Sequence, residues 1–276
     1  AELKRRNQKL KVFVNTPFWI SSFSKLRINE SSSLSKNALY IDQIRSGKYG
    51  DIYYNVASQD DPRMDGFEKI TGYKHNTIPL AADKKIHYPE FSENFVGDIS
   101  YIGTYTPEKR DFFKKNIFPL QRKFSVHLYG QDWTYADRMR GIIQKFGQYY
   151  NLPYLRSLQK PNLRLEDERR IYTSSNISIN VHQDSQKKYG GDCNERTFKI
   201  PLCGGFEITD DVACIRAFFK EGEEIIIAEN DDDYVQKLEY YLKNPEKKID
   251  IVEAGRKRVL EEHTYHVRVR QLLELI

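Results

Sequence analysis

Short apolar runs alternate with amphipathic stretches along most of the 276 residues of this chain. Strands are predicted at 10–15, 51–58, 98–103, 124–130, 176–182, 206–209 and 223–228, with a proline-containing edge or loop segment at 76–83. Most of these runs are apolar throughout, which is the pattern of parallel strands that are covered on both faces by helices. The chain is therefore predicted to have an α/β fold.

The amphipathic stretches between the strands predict helices. These lie at 31–46, 64–71, 107–120, 135–150, 165–175, 195–203, 211–220, 231–244 and 247–276, the last with a break near 263–266, while loops are predicted at 151–164 and 183–194. In the helix 231–244, Val235, Leu238 and Leu242 form one apolar stripe, and aspartates occupy the first turn, where the helix dipole favours negative charge. This helix is predicted to pack on the sheet and to be purely structural.

Residues 84–97 show little periodicity and contain Pro89 and Gly97, so they are predicted to be a linker. About five predicted strands follow this linker, and only two or three precede it. The pattern thus predicts a short or incomplete Rossmann-like domain at 1–97, followed by a doubly wound domain that begins at residue 98.

The composition fits a water-exposed protein with a substantial core. Hydrophobic residues make up 39% of the chain, charged residues make up 30%, and the mean hydropathy is −0.70. No apolar run approaches the ~20 residues of a membrane span, and the basic first residues lack the apolar core of a signal peptide, so a cytoplasmic location is predicted. Cys193, Cys203 and Cys214 have no CxxC spacing, which argues against a structural zinc site and a disulfide framework.

The formal net charge of +5 is compatible with an anionic ligand. Basic residues occur as short pairs that are spread along the chain, mostly with acidic residues nearby. That distribution is typical of a solvated surface, whereas a nucleic-acid interface more often has a basic stripe with interleaved aromatic residues. No nucleic-acid partner is expected.

The stretch GDCNERTFKIPLCGGFEITDD (190–210) places polar side chains at the start of a predicted helix and two glycines at its end. Strand 176–182 leads into this stretch, so its first residues lie at the carboxyl edge of the sheet, where ligands bind in this class of fold. The free N–H groups of a helix N-terminus bind anions, and Arg196 adds a planar, bidentate donor. Phe198 is expected to anchor the helix to the sheet. The residues alone leave a second interpretation open, in which Asn194 to Arg196 only cap the helix and form an exposed ion pair.

Two further loops are predicted to reach the same edge of the sheet. The first is the turn Gly103, Thr104 and Tyr105, with Lys109 and Arg110 in the following helix. The second is the segment 129–133, which begins with Tyr129 and Gly130. Each loop alone is a common turn between a strand and a helix. Together with residues 190–198, the two loops predict one cleft. His182, at the end of the neighbouring strand, is predicted to be structural.

An ordered set of motifs resembles one enzyme family. The segments are SYIGTYTPEKR (100–110), LYGQDW (128–133), SSNISINVHQD (174–184), NERTFKIPLCGGFEITD (194–210) and GRKRVLEEHTYHVR (255–268). They resemble the CgeB-like, spore-maturation-type glycosyltransferases, which are relatives of the group 1 glycosyltransferases. The resemblance covers roughly residues 75 to 276, and the order of the segments is more specific than any single one.

This resemblance implies a GT-B fold, with two Rossmann-like domains that face each other across a cleft. It implies that the C-terminal domain, 98–264, holds a nucleotide-sugar donor and that a last helix, 265–276, crosses back to the N-terminal domain on the acceptor side. It also implies a metal-independent, hexosyltransferase-type enzyme with no cofactor besides the donor substrate. The acceptor stays open among a glycan, a protein and a lipid-linked molecule, and a homo-oligomer is compatible with the sequence.

The predicted site residues follow from the three loops and from the resemblance. The donor-binding residues are Gly103, Thr104, Tyr105, Lys109, Arg110, Tyr129, Gly130, Tyr154, Asn194, Arg196, Thr197, Phe198 and Lys199. Asp192 and Glu195 are the carboxylates predicted to lie near the transferred sugar, and both also suit a helix-capping role. No metal ligands are predicted.

The chain departs from the family pattern at Lys199, where the usual motif Arg-x-Phe-Glu has a glutamate that faces the donor. A lysine accepts no hydrogen bond from a hydroxyl group, although it can bind a phosphate. In addition, the region before residue 98 is short for a GT-B N-terminal domain. These departures favour an alternative function, a non-catalytic module that binds a nucleotide or glycan. A sugar-nucleotide epimerase or a glycan phosphorylase on the same fold is a third hypothesis.

Overall fold

The computed structural model describes residues 7, 9–20, 34–158 and 163–276, and these residues form two parallel sheets. The first three residues of the predicted helix 31–46 and part of the predicted loop 151–164 lie outside the described residues.

The first sheet has three parallel strands in the order β1-β2-β3. These strands are β1 (Phe13–Asn15), β2 (Ile52–Asn55) and β3 (His75–Thr77), and the helices between them are α1 (Ala38–Arg45) and α2 (Phe67–Thr71). Its core is small and largely aromatic, with Trp19 edge-on to Phe67 at a ring separation of 5.1 Å. We refer to the described residues up to 82 as the first-sheet region.

The second sheet has five parallel strands in the order β5-β4-β6-β7-β8, and their number agrees with the prediction of about five strands after residue 98. Its strands are β4 (Gly97–Ile102), β5 (Val126–Tyr129), β6 (Ser175–Asn180), β7 (Glu207–Asp210) and β8 (Ile226–Ala228). The register pairs Ile99 with both Val126 and Ile177, which places β4 between β5 and β6. Residues 97–262 form the second-sheet region.

The helices of the second-sheet region follow the predicted alternation with strands. They are α3 (Pro107–Phe112), α4 (Tyr135–Tyr149), α5 (Pro153–Arg156), α6 (Leu165–Ser174), α7 (Asp184–Tyr189), α8 (Arg196–Leu202), α9 (Ile215–Phe218), α10 (Asp231–Lys243) and α11 (Ile249–Glu262), followed by α12 (Tyr265–Leu273). Helix α3 continues as a π turn, Phe113–Ile117, and a 3-10 turn, Phe118–Arg122. Further 3-10 turns lie at Leu34–Lys36, Pro62–Met64, Glu93–Phe95 and Pro245–Lys248. Across the described residues, we find no helix that combines the length and apolarity needed to cross a membrane.

Two predicted loops are wrong in part, because each contains a short helix. The predicted loop 183–194 contains α7, which a reciprocal capping box between Gln183 and Gln186 stabilises. The predicted loop 151–164 contains α5, which begins at Pro153, a residue whose fixed φ suits the first helical turn. Neither segment has the apolar stripe by which longer helices are recognised.

The two faces of the second sheet differ in polarity. One face buries Ile99, Ile177 and Ile208 against Leu238 and Tyr234 of α10, so the stripe predicted for helix 231–244 does pack on the sheet. The opposite face is covered by α6, α8 and α11 and contains buried polar side chains at its centre, namely Ser100, Ser178, Asn180, Glu207 and Thr209. These polar groups lead from the interior of the sheet toward its carboxyl edge.

The two regions are joined where α12 begins. Ala82 donates its N–H to the carbonyl of His263 (3.1 Å) and accepts a hydrogen bond from the N–H of Tyr265 (3.0 Å). The buried Arg268 on α12 donates its Nε–H to the carbonyl of Pro79 (3.0 Å). The last helix therefore contacts the end of the first-sheet region, while the domain boundaries at residues 97 and 264 stay predictions.

Candidate functional site

The carboxyl ends of β4 and β5 form a tight double turn. The N–H of Gly103 donates to the carbonyl of Tyr129 (2.9 Å), and Trp133 Nε1 donates to the carbonyl of Gly103 (2.8 Å). Gly130 has a φ of +118°, and a Cβ at this position would lie 2.8 Å from the carbonyl carbon of Gly103. Only glycine meets both demands, so the two predicted loops are held in contact by their glycines.

Arg196 crosses from the end of β6 to the end of β4. Its Nη1 donates to the carbonyl of Ile102 (3.2 Å), its Nη2 to the carbonyl of Val181 (2.9 Å) and its Nε to Asn180 Oδ1 (3.0 Å). All three acceptors are neutral, and a guanidinium group has five N–H donors, so two remain for a ligand. Within the described part of the chain, no carboxylate forms an ion pair with this half-buried side chain.

The structure thus brings Gly103, Gly130 and Arg196 to one edge of the second sheet. Arg196 reaches the residue before Gly103, and Gly103 contacts Gly130 directly. The ion pair that the alternative interpretation assigned to Arg196 is absent from the described residues, because Glu195 and Asp192 each bind another cation.

Asn180 organises the residues around Arg196. Its Oδ1 accepts hydrogen bonds from Arg196 and from Asn194 Nδ2 (2.8 Å), and its Nδ2 donates to Glu207 Oε1 (2.8 Å) and Thr197 Oγ1 (3.1 Å). Burial raises the pKa of Glu207 to about 8, so its carboxyl group is largely protonated at neutral pH. Neither Asn180 nor Glu207 was among the predicted site residues, although a polar residue inside an apolar strand is a visible signal.

Asn194 precedes Glu195, the N-cap residue of α8, and its Oδ1 accepts a hydrogen bond from the backbone N–H of Arg196 (2.9 Å). Its amide group also donates to Asn180, which ties the start of the helix to the end of β6. Asn194 therefore satisfies a free N–H group at the helix start, as the capping part of the alternative interpretation expects, and it positions Arg196.

Lys109 on α3 is buried beside the same edge, with 7% of its surface exposed. Its Nζ donates to Tyr101 Oη (3.1 Å), a neutral group. Burial and the positive charge of Arg196 lower the pKa of Lys109 to about 8. Two cationic side chains therefore lie close enough to affect each other, and neither has an ion-pair partner among the described residues.

The aromatic residues of the two loops pack against each other. Tyr105 is 4% exposed and stacks on Trp133 at a ring separation of 4.7 Å, while the guanidinium group of Arg110 lies 5.5 Å from the ring of Tyr105. Tyr129 is half-buried, and its hydroxyl lies 3.4 Å from His127 Nδ1. These rings stiffen the turns on which Gly103 and Gly130 lie.

A buried histidine joins the ends of β6 and β7. His182 Nδ1 lies 2.6 Å from Asp210 Oδ1, and its Nε2 lies 3.3 Å from Thr197 Oγ1. Burial lowers the pKa of His182 although Asp210 opposes that shift, so the ring is neutral and donates from Nδ1 to the carboxylate. Thr197, a predicted donor-binding residue, is fully buried and holds the other ring nitrogen.

Asp192, one of the two predicted catalytic carboxylates, is bound to the first-sheet region. Its Oδ1 pairs with Nη2 of Arg63, and its Oδ2 accepts a hydrogen bond from Gln186 Nε2 (3.0 Å). Arg63 also pairs with Asp61 through its Nε (2.9 Å) and Nη2 (2.5 Å). Burial lowers the pKa of Arg63, but its two carboxylate partners outweigh that effect and hold the pKa above its ordinary value. Arg63 was not predicted to take part.

Gly191 lies at the same contact between the two regions. Its carbonyl accepts a hydrogen bond from the N–H of Ser58 (2.9 Å). A Cβ at this position would lie 2.9 Å from the carboxyl carbon of Asp61, closer than side chains approach each other. The regions therefore touch at the level of the backbone.

Glu195 and Lys199 belong to a second ion cluster. Lys199 Nζ lies 2.8 Å from Glu195 Oε2 and 3.5 Å from Glu168 Oε1, and Tyr265 donates its hydroxyl to Glu195. Burial alone would lower the pKa of Lys199, but the carboxylates of Glu168 and Glu195 outweigh that effect and raise the pKa above its ordinary value. The lysine is therefore charged. The lysine at the position where the resemblance predicts a glutamate is thus bound to two carboxylates.

Phe198 and Tyr154 lie in contrasting places. Phe198 is fully buried, 5.3 Å from the ring of His263, and it anchors α8 as expected. Tyr154 lies on α5 with 78% of its surface exposed, and no contact among the described residues brings it to the edge where Arg196 lies. The donor-binding roles of all these residues stay predictions.

Comparison with known proteins identifies the family. Residues 110–274, more than half of the chain, match the model of a family described as glycosyl transferase-like, and the chain belongs to that family. No curated protein matches the sequence.

Solved structures that resemble this chain are glycosyltransferases. Sucrose-phosphate synthase from Thermosynechococcus elongatus has a TM-score of 0.60 at 12% identity, over 99% of this chain and 69% of that one. An α-glucosyltransferase in complex with UDP-glucose and DNA containing an abasic site has a TM-score of 0.60 at 12% identity, over 95% and 71% of the two chains. Anabaena HepE in complex with UDP-glucose has a TM-score of 0.57 at 10% identity, over 95% and 71%. The GT-B fold predicted from the sequence is confirmed, and the protein is a glycosyltransferase by family.

Proposed function

We propose that this glycosyltransferase moves a hexose from a nucleoside-diphosphate sugar to an acceptor, without a metal ion, as a CgeB-like member of the group 1 relatives. The observation that carries the proposal is Arg196. Its guanidinium group lies at the carboxyl edge of the second sheet, is bound only to neutral acceptors, and has N–H donors to spare. A diphosphate is the ligand that such a group binds best.

Lys109 supports the proposal through the charges around it. The charge of Arg196 contributes to the lowered pKa of Lys109, which means that the two cations repel each other in the free protein. A bound diphosphate would relieve that repulsion and would recharge the lysine. The pair is therefore suited to an anion that enters and leaves.

The reaction follows from where charge develops. The bond between the anomeric carbon and the diphosphate oxygen breaks, and the diphosphate leaves with the bonding electrons while an acceptor oxygen bonds to the same carbon. The acceptor's proton passes to a base or to the leaving phosphate. Arg196 and Lys109 stabilise the negative charge on the departing diphosphate, which is the task that a divalent cation performs in other enzymes.

The remaining predicted residues have assigned places in this scheme. The turns at Gly103 and Gly130 admit the donor close to the backbone, and Asn194 positions Arg196. Asp192 and Glu195 are still the carboxylates proposed to lie near the transferred sugar. Each must give up an ion pair to act there, because Arg63 and Lys199 hold them in the free protein.

UDP-glucose is the first donor to test. The α-glucosyltransferase and HepE were both solved with this nucleotide sugar. For this chain the base, the sugar and the acceptor are open, the acceptor being a glycan, a protein or a lipid-linked molecule. We place the reaction in the cytoplasm, which holds nucleotide sugars.

One observation favours a second function, a non-catalytic module that binds a nucleotide. Lys199 occupies the position of a donor-facing glutamate and is bound to Glu168 and Glu195. That position offers the donor's hydroxyl groups no acceptor, so a bound donor would lack one of the contacts that orient its sugar for transfer.

A panel of UDP, GDP, ADP, CMP and dTDP sugars separates these possibilities by thermal shift, calorimetry and donor hydrolysis, each with and without a chelator. A true donor at a hundredfold excess over its Kd should stabilise the protein by about 2.7 kcal/mol. A nucleotide sugar that binds and is slowly hydrolysed, also when the chelator is present, supports the metal-independent transferase. Binding without hydrolysis or transfer supports the module, and a panel without binding contradicts both.

A further inference from the structure

Helix α4 exposes a continuous apolar face. Five side chains form what we call the α4 stripe, each with between 37% and 81% of its surface exposed: Tyr135, Met139, Ile142, Phe146 and Tyr149. Their spacing of three and four residues places them on one side of the helix. Ile143 and Tyr150, which are 39% and 57% exposed, widen the same face.

The described residues do not cover this stripe. Helix α4 packs on α5 through Gly147, where a Cβ would lie 2.8 Å from the backbone carbon of Leu155. Gly147 lies about 100° around the helix axis from Phe146, so α5 covers a different side. Gly141 lies about 100° around the axis from Ile142, beyond the other edge of the stripe, and its Cβ position is 3.7 Å from the carboxylate of Asp132.

Exposed apolar side chains are concentrated here. Of the 23 large hydrophobic side chains that are exposed among the described residues, nine lie between residues 135 and 154. Scattered exposed side chains are normal, whereas a contiguous set on one surface marks a docking site. Five of the nine are tyrosine or phenylalanine, which are aromatic side chains that are common where a protein meets the boundary between water and lipid.

The charges beside the stripe are mainly positive. Residues 135–158 contain four basic side chains and one acidic one, a net charge of +3. Around the helix, Arg138 and Lys145 lie on one flank of the stripe and Arg140 lies beyond the other. An apolar face with basic flanks is the pattern of a helix that lies in the surface of an anionic bilayer.

We propose that the α4 stripe docks this protein on an anionic lipid surface, with the axis of α4 parallel to the membrane plane. The charge favours lipid over a second copy of the chain, because two copies that met through this face would bring together two segments that each carry a net charge of +3. The helix would insert its tyrosine, isoleucine and phenylalanine side chains between headgroups while its basic flanks bind lipid phosphates. This inference does not depend on the proposed function.

Docking would also orient the candidate site. Thr134 caps α4 by accepting a hydrogen bond from the N–H of Asp137 (3.1 Å), and Trp133, the preceding residue, binds Gly103. The docked helix and the carboxyl edge of the second sheet are thus separated by a single short turn.

The test measures sedimentation of the full chain with vesicles of phosphatidylcholine, with and without phosphatidylglycerol, at low and high salt. We expect binding to the anionic vesicles that weakens as salt rises. The double variant Ile142→Glu, Phe146→Glu should reduce partitioning into the vesicles roughly tenfold or more, since it puts charged groups where two apolar side chains would enter the bilayer. Arg138→Glu with Lys145→Glu should weaken binding to anionic vesicles and leave the stripe intact.

Ile249→Glu is the matched control, because Ile249 is also an exposed isoleucine on a helix, 57% exposed against 59% for Ile142. It should bind vesicles as the wild type does. Phe146→Trp adds a reporter whose emission should shift to the blue with anionic vesicles only. Wild-type protein that ignores anionic vesicles, or that forms a dimer in light scattering which Ile142→Glu dissociates, overturns the proposal.

Discussion

The side chains of Arg63 and Arg196 are both withdrawn from solvent, fully or in part, yet their surroundings differ in charge. Arg63 is 5% exposed and is bound to two buried carboxylates, Asp61 and Asp192. Arg196 is half-buried and is bound to two carbonyl groups and one amide. The first arginine is neutralised by the protein, and the second is only positioned by it.

The difference shows how a buried cation is assigned to structure or to ligand binding. A charge that already has carboxylate partners gains little from an anion, and its removal leaves those partners without a counterion. A charge that is held by dipoles keeps its attraction for a diphosphate. Position at the carboxyl edge is shared by many residues, so the absence of a carboxylate partner is the more selective criterion.

The largest expected effect is on stability. Arg63→Ala should lower the free energy of unfolding by about 3–5 kcal/mol, because two buried carboxylates lose their counterion. Urea unfolding measures this loss. Adding Asp192→Asn to the same chain should restore part of the stability, since one uncompensated charge is then removed, and a fully stable Arg63→Ala protein would contradict the contrast between the two arginines.

The next effect is on donor affinity. Arg196→Ala should weaken binding of the best nucleotide roughly 10- to 150-fold, the equivalent of about 1.5–3 kcal/mol for a charged hydrogen-bonding pair. Its stability should fall by about 1–3 kcal/mol, less than that of Arg63→Ala, because the acceptors that it leaves unpaired are neutral. Arg196→Lys should recover part of the affinity, because lysine keeps the charge and loses the fork.

Calorimetric titration of wild type, Arg196→Ala and Arg63→Ala at a temperature where all three are folded makes the comparison. Equal dissociation constants for wild type and Arg196→Ala would remove Arg196 from the donor site. A larger loss of affinity in folded Arg63→Ala than in Arg196→Ala would reverse the two assignments.

The smallest effect is a pH dependence that belongs to Lys109. Burial lowers the pKa of Lys109 to about 8, and the positive charges of Arg196 and Lys187 act in the same direction. The carboxylates of Glu108 and Asp210 oppose this shift. Only the protonated lysine attracts a diphosphate, so affinity is full below that pKa and falls as pH rises through it. Between pH 7 and 9 the loss should approach roughly tenfold. Lys109→Met should bind more weakly and show a flat profile, and a wild-type affinity that is constant over this range would exclude Lys109 from the site.

Much of the fold could be predicted from the sequence, because apolar runs and stripes record which faces are buried. The strand 98–103 and the stripe of helix 231–244 were predictable in this way. Helix α7 was not, since its residues DSQKKY have no apolar stripe and its stability comes from capping.

The candidate site was predictable only in part. Its place at the carboxyl edge follows from the order of strands and from the glycines at 103 and 130. The partners of Arg196 could not be predicted, because backbone carbonyls have no sequence signature. The pair of Arg63 and Asp192 joins positions 129 residues apart, and no local pattern reports a contact of that kind.

Because Gly191 has no side chain, the two regions can approach each other closely at this position. Because Ser58 and Asp61 contact it directly, even a methyl group would work as a wedge beside the Arg63 cluster. Any larger residue at this position would therefore push residues 58–61 away from the second-sheet region.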